Sequence, residues 1–519
     1  MARSVRYRMD EMTSHYRETA PWARALRALT RPVDALPLDM FRVIVGMLIF
    51  VYFVRTFMET ADFSGPDGLL DHSLMLKMYW FTEIGIFREW MGVEWFYTAF
   101  AIACGCCIPL ILSYRVKLFT VILYVIAVST YRRNFIVMYV DDSIMHLLLF
   151  WMLVLPVGRT MVLGEWLKDR GAAWRRWKTV KVPGSTLRLF FWNLTLLYLV
   201  AGLWKWTSPM WLDGTALYVV FKLPISYFHQ FWSAEHIPLI KVFNYATLIL
   251  EPVVPLMFVL RRGHWAKYVM LAAFLGLHLG SVATLNIPYA NIACAATTIL
   301  MFREELMDYF RGGAFDERVL APTMRLGLSG SVAMFMVITL TLAMVSSVTM
   351  INWRTAPREM KTAESHSGNA GRPQLVDGRA DGLQSVQMTF FGALWIMGIA
   401  QQYQLFNWID NRNYATHYRV VVNGADADPD VMFVRSLRGV LLDFYIHDIT
   451  WMRVPPEMRQ ELRSNILHRT AARYCRNEYP SGEVTVYSSL EKIDPNGGVG
   501  EFDSTLLMKF SCLDGTAVF

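Results

Sequence analysis

The chain predicts an all-α polytopic membrane bundle of about nine or ten membrane helices, followed by a small C-terminal α+β domain. Three observations carry this expectation. Of 519 residues 54% are hydrophobic and only 18% charged, where soluble domains carry about 25% charged residues. Several apolar runs reach the roughly 20 residues that cross a bilayer at about 1.5 Å per residue. Basic residues gather in short loops between those runs, as membrane topology requires. The short alternating segments of a barrel are missing from the sequence. The net charge of +7 follows the loops, which argues against nucleic acid as its cause.

The first 38 residues form a basic N-terminal segment with Arg3, Arg6, Arg8, Arg17, Arg24, Arg27 and Arg31. It shows no apolar stretch ahead of a small-residue cleavage site, so the first span is expected to insert the chain itself. The membrane domain is read as 39–350, with spans at about 39–57, 93–113, 116–131, 143–157, 187–205, 238–260, 266–284, 289–302 and 326–350; the third, fourth and eighth are short. A polar loop follows at 351–386, then a short helix at 387–410 that lies on the membrane or crosses it. The loop 158–186 and the turns YRVK and RRGHWAK are basic, while 58–92 and 206–236 are poor in Lys and Arg. This places the N-terminus in the cytoplasm, and a surface-lying 387–410 helix puts the tail outside. The loop 131–142 departs mildly from the pattern.

Residues 411–519 change character. YRVVVNG, GVLLDFYI and GEVTVYSSL read as strands from their β-branched and aromatic content between turn residues. The stretch PPEMRQELRSNILHRTAARYC reads as an amphipathic helix that opens on proline. Cys104, Cys106, Cys107 and Cys294 lie in apolar runs and read as packing residues. A Cys475–Cys512 disulfide is open to the tail only on the extracytoplasmic side.

Four places set ionisable groups in or beside apolar runs. Lys205 closes the run YLVAGLWKWTSPMW between Trp204 and Trp206. Glu251 lies inside LILEPVVPL, where a charge costs on the order of 2.5–3.5 kcal/mol and asks for protonation, a partner or a task; Pro252 loosens the helix beside it. His278 lies in FLGLHLGSVATL, and Asp141 and Asp142 precede the fourth span. Each also has a plain reading: a snorkelling lysine in an aromatic belt, a packing histidine, a helix-start acid pair. No spacing suits a metal, and no glycine loop, nucleophile elbow or catalytic triad order is visible. With 30 Met, 32 Phe, 23 Tyr and 18 Trp, the bundle has walls that suit a flat apolar cofactor such as a quinone.

The stretches LDMFRVIVGMLIF, DFSGPDGLL, DDSIMHLLLFWMLVLPVG, LYLVAGLWKWTSPMWLDGTALYVV and LHLGSVATLNIPYANIACAATTILMF resemble the HTTM (horizontally transferred transmembrane) family. That family includes the vitamin K-dependent gamma-carboxylase. The resemblance covers about residues 37–310, and its most specific element is A-G-x-x-K…W-x-[DE]-G. It implies that Lys205 is a base acting on a reduced, vitamin K-like quinone. His278, Glu251, Asp141 and Asp142 would line the site, and Trp204, Trp206 and Trp211 would hold the cofactor. A neutral lysine is then required, against an ordinary pKa of about 10.4. The sequence departs from the carboxylase where Asp141–Asp142 replace an Asn-His pair and Trp204–Lys205 replace two lysines. Two functions follow as expectations: a membrane enzyme, expected in a bacterial inner membrane, acting on a quinone-like or lipid-embedded substrate, or a non-catalytic scaffold for peptide export or maturation. Transport would call for inverted repeats, which are not seen.

Overall fold

The computed structural model describes residues 21–311, 326–349, 394, 413–433, 436–447, 454–478, 481–494 and 504–519. The first twenty residues, the polar loop 351–386 and, apart from Leu394, the 387–410 segment lie outside the described residues.

The chain is mostly helical. The helices that matter here are α1 (Ala35–Met58), α2 (Val93–Ile111), α3 (Val116–Arg133), α4 (Val140–Val154), α5 (Ser185–Lys205), α6 (Pro209–Asp213), α7 (Ala216–Lys222), α8 (Ile237–Val253), α9 (Trp265–Thr284), α10 (Pro288–Ala296), α11 (Arg303–Arg311) and α12 (Gly327–Thr349). Six are long and apolar enough to cross a membrane: α1, α2, α5, α8 with its flanking turns, α9, and α12 through Val345. Of the three short expected spans, α3 runs 18 residues but carries Lys117, Arg132 and Arg133, and the other two are shorter helices. At 15 residues, α4 extends only about 22 Å. The eighth is broken into α10 and a four-residue helix by a turn at Thr297, whose hydroxyl donates to Cys294 O (2.6 Å).

Neighbouring helices alternate in direction, as their end contacts show. At the start of α1, the buried Arg42 donates to the carbonyls of Leu110 and Ile111 at the end of α2. Asp39 beside it accepts from the amides of Gly158, Arg159 and Thr160, just beyond α4. Lys117 at the start of α3 donates to Met152 O and Leu155 O at the end of α4. Against this pattern α12 runs parallel to α5: Gly330 lies beside Ser185 and Trp192 Nε1 donates to Thr341 Oγ1 (3.1 Å). One apolar core runs through these helices and includes Leu394.

Among the described residues the tail domain is a five-stranded antiparallel sheet with two longer helices and a four-residue helix at Pro429–Met432. In chain order its strands are β1 (Tyr414–Val422), β2 (Ala425–Ala427), β3 (Glu483–Lys492), β4 (Thr505–Ser511) and β5 (Thr516–Val518), arranged β2-β1-β3-β4-β5. Between β2 and β3 come α13 (Leu437–Ile446) and α14 (Arg459–Asn477). Here one expectation is corrected: GVLLDFYI is helical. Ser436 caps that helix by accepting from Gly439 N, and Leu437, Leu442, Tyr445 and Ile446 fall on buried positions at helical spacing. Local β-preference lost to the cap and the helical stripe. Cys475 on α14 and Cys512 after β4 form a disulfide.

The tail does not hang free. Its core is continuous with Phe63, Leu70, Met75 and Tyr79 after α1 and with Phe135–Met138 before α4. Ala415, Leu437 and Ile493 join a further cluster with Trp211 and residues of α7. The domain therefore caps the bundle end at which α1 stops and α4 begins.

Candidate active site

Lys205 ends α5, yet its amine does not reach outward: the residue is 1% exposed. Its Nζ lies 2.6 Å from Glu251 Oε2 on α8 and 5.2 Å from the centre of the Trp211 ring. Glu251 is the fifteenth residue of α8, about 21 Å along its axis. The pair is thus deep, and the chain after Lys205 climbs back along α8 to cover it.

The local sequence explains the meeting. Pro252 has no amide to give, so the carbonyl of Leu248 one turn earlier loses its helical donor. Trp206 Nε1 supplies it at 3.1 Å. Gly202 packs directly on Pro252; a Cβ at position 202 would come 2.8 Å from Pro252 Cδ and 3.2 Å from its nitrogen. Gly202 on α5, three residues before Lys205, and Trp206, the residue that ends the helix just after it, therefore hold α8 at the register that brings Glu251 to the amine.

The following segment places Trp211. Asn244 on α8 donates to Trp211 O (2.9 Å) and accepts from Leu217 N (3.2 Å), clamping α6 and α7 together. Asp213 accepts from both the amide and the hydroxyl of Thr215. Gly214 turns with φ +86°, a conformation that a side chain would strain, and an added Cβ would press on Tyr245 and Lys241 at 3.0 Å. Every defined position of A-G-x-x-K…W-x-D-G from Gly202 on thus has a geometric task around one buried amine.

His278 on α9 sits in a separate, directed hydrogen-bond chain. Asn291 Nδ2 donates to Ile287 O (2.8 Å), which leaves Oδ1 to face His278 Nδ1 (2.8 Å). That nitrogen carries the proton, and Nε2 accepts from the Tyr198 hydroxyl (2.8 Å). The Cys294 thiol in turn bonds to Tyr198. Tyr198 is seven residues before Lys205 on the same face of α5, about 10 Å away along the axis.

Asp141 and Asp142 are both fully buried and serve the bundle end. Asp141 accepts from the amides of Tyr289 (3.3 Å) and Ala290 (2.7 Å), satisfying the first turn of α10. Asp142 accepts from Tyr52 Oη (2.7 Å), Tyr139 N (3.1 Å) and the guanidinium of Arg438 on α13 (2.8 and 3.2 Å). Arg438 also pairs with Glu59 at 3.1 Å. These acids hold α10 and the tail domain; neither is among the contacts of Lys205.

The three tryptophans diverge. Trp211 is buried over the amine, Trp206 is 45% exposed and bound to Leu248 O, and Trp204 is half-buried against the bundle core. They do not form one slab for a quinone. Among the described residues no group of three or more His, Cys, Asp and Glu is placed to hold a metal.

The structure thus joins Lys205 to Glu251, sets His278 two turns away, and assigns the aspartates to docking. Sequence reading missed Tyr198, Asn244, Asn291 and Arg438, and had Gly202 only as a position of the A-G-x-x-K element, without its contact. Asn244 and Glu251, seven apart in an apolar run, carried a signal: two polar groups on one helix face. Arg438 carried none, being one arginine in a polar tail. Compared with models of known families, with curated proteins and with solved structures, the chain matches none.

Proposed function

We propose that the chain is an integral membrane enzyme of the gamma-carboxylase-like HTTM type, in which Lys205 takes a proton from an apolar substrate dissolved in the lipid. The observation that carries this reading is an amine withdrawn from water and held against one carboxylate by residues that have no other evident task. Glu251 accepts the lysine proton across 2.6 Å. Turning two buried opposite charges into a neutral amine and a neutral acid is a change that a low-dielectric setting tolerates. The free amine then takes the proton of a substrate O–H or C–H, and the resulting anion stays beside the new ammonium. Trp211 closes the site on the tail side. On the face opposite Glu251, α8 turns Val242, Phe243 and Ile249 outward, each more than half exposed, so the helix that carries the acid also borders the lipid in which such a substrate dissolves. A quinol has the acidity and solubility that such a substrate needs, although the diverging tryptophans do not form one cradle for its ring.

The disulfide and the docking of the tail opposite the basic loops support an extracytoplasmic tail and a cytoplasmic N-terminus. The test is turnover with quinols in vesicles for wild type, Lys205→Arg and Lys205→Ala. A base lost from proton transfer costs about a hundredfold or more, and arginine does not replace it because guanidinium stays protonated. Equal rates in the three proteins would remove the lysine's role. One observation favours a second reading: the pair also fastens α5 to α8, as a scaffold for peptide export or maturation would need. That reading expects Lys205→Arg to keep full function.

A further inference from the structure

At the opposite end of the bundle from the tail, two cavities of about 520 and 290 Å³ adjoin through Pro156 and Arg159. The larger lies between the α2–α3 turn and the chain that leaves α4. Arg115, Lys117 and Arg159 line it beside Val116, Leu118 and Pro156; Arg176 and Lys181 line the smaller one. Among the described residues no carboxylate lines either. Two acids nearby are already engaged: Asp39 by Arg42 and the amides of residues 158–160, and Glu165 by Arg176 at 2.8 Å, which leaves Arg115 and Arg159 as the cations of the larger cavity that matter.

The backbone that shapes the larger cavity is tightly wound. Ser113, Arg115 and Gly158 all have positive φ (65°, 41° and 82°). A Cβ at Gly158 would meet Val116 Cγ2 at 2.9 Å, so only glycine lets the two chains approach this closely. From the cavity mouth an apolar stripe runs along α3: Leu118, Val121 and Val125 are 49%, 46% and 42% exposed at one-turn spacing. Tyr114, 58% exposed, stands at the rim with Arg115 over its ring. A basic hollow thus opens directly onto a strip of apolar side chains.

We propose that this hollow binds the phosphate headgroup of an anionic phospholipid, with its acyl chains lying on the Leu118–Val121–Val125 stripe. Arg115 and Arg159 take the phosphate, and Lys117 is fixed behind them by its bonds to the end of α4. The charge alone would suit free phosphate as well; the stripe is what selects a lipid. The inference needs the bundle to lie in a membrane but is independent of any chemistry at Lys205.

Native mass spectrometry of the detergent-purified protein counts bound phosphatidylglycerol against phosphatidylcholine. We expect phosphatidylglycerol to be retained preferentially. Arg115→Gln/Arg159→Gln lowers that retention about thirtyfold, taking each cation near the membrane surface at its usual worth. Leu118→Trp, which narrows the mouth without changing charge, also lowers it. The matched loss of charge in Arg170→Gln/Arg175→Gln, outside both cavities, leaves it unchanged. Retention of both lipids alike, equal loss in the two double variants, or full displacement of phosphatidylglycerol by inorganic phosphate would overturn the proposal.

Discussion

Two lysine–glutamate pairs in this molecule have nearly the same local geometry and very different settings. Lys205 lies 2.6 Å from Glu251 with Trp211 over its amine at 5.2 Å. Lys267 lies 2.7 Å from Glu305 with Phe302 over its amine at 4.4 Å. Lys267, however, is in the first turn of α9, and Glu305 is in the first turn of the amphipathic α11. The exposed Arg262–Asp308 pair lies beside them. Lys205 and Glu251 meet about 21 Å along an apolar helix. An ion pair with an aromatic lid is therefore no mark of a site in itself. What distinguishes the deep pair is its depth and the residues on α5 and α8 that hold its register.

The largest expected effect separates the two pairs by cost. Glu251→Ala leaves a buried ammonium without a partner, which costs about 3–5 kcal/mol. Glu305→Ala also strips the partner from a buried lysine, Lys267 being 5% exposed, but one in the first turn of its helix, where a short swing of the stem carries the amine to water, so the loss is smaller. Thermal unfolding of the two variants in detergent should show a large drop for the first and a small one for the second. Equal drops would erase the distinction on which the proposed site rests.

The next effect tests the register itself. Gly202→Ala drives a methyl into Pro252 and forces α5 and α8 apart, at about 1–3 kcal/mol as in other overpacked contacts. Gly276→Ala, on the helix that bears Lys267, meets nothing within 4 Å and should be neutral or gain up to about 1 kcal/mol from helix propensity. Gly202→Ala should lower turnover at Lys205 while Gly276→Ala spares it. Loss in both would mean that the bundle responds to any change in helix packing.

The same contrast shows what a reader of the sequence can and cannot recover. Lys205 and Glu251 stand out because a charge inside an apolar run is costly and demands a reason. Their pairing does not stand out: it joins positions 46 residues apart through a register set by Gly202 on Pro252, and neither residue announces its contact. Asp141 and Asp142 were legible as acids at a helix start, but not that one caps α10 and the other receives Arg438 from the tail, since both partners come from distant chain. His278 was visible, and its tautomer was not, because that depends on Asn291 being turned by Ile287 O. The bundle and the sheet-bearing tail follow from apolar runs and alternation. The helix Leu437–Ile446 was misread because its β-branched and aromatic residues outweighed a single capping serine.

The smallest effect concerns the indole that stands in for a missing amide. Trp206→Phe keeps an aromatic ring on the lipid-facing side but leaves the Leu248 carbonyl with neither its helical donor nor the indole. A carbonyl left unmatched in an apolar setting costs about 1–3 kcal/mol, and the net loss for one neutral hydrogen bond is nearer 1 kcal/mol. Trp265, two residues before Lys267 and 71% exposed, offers the matched control: Trp265→Phe should shift unfolding by less than about 0.5 kcal/mol, as for other surface changes. The decisive reading is a coupling. If Trp206 acts by fixing α8 against α5, then combining Trp206→Phe with Gly202→Ala costs less than the two changes apart, because either one already lets Pro252 shift. Strict additivity would mean that the indole only anchors its helix in lipid, and that the register of the Lys205–Glu251 pair is held by the glycine contact alone.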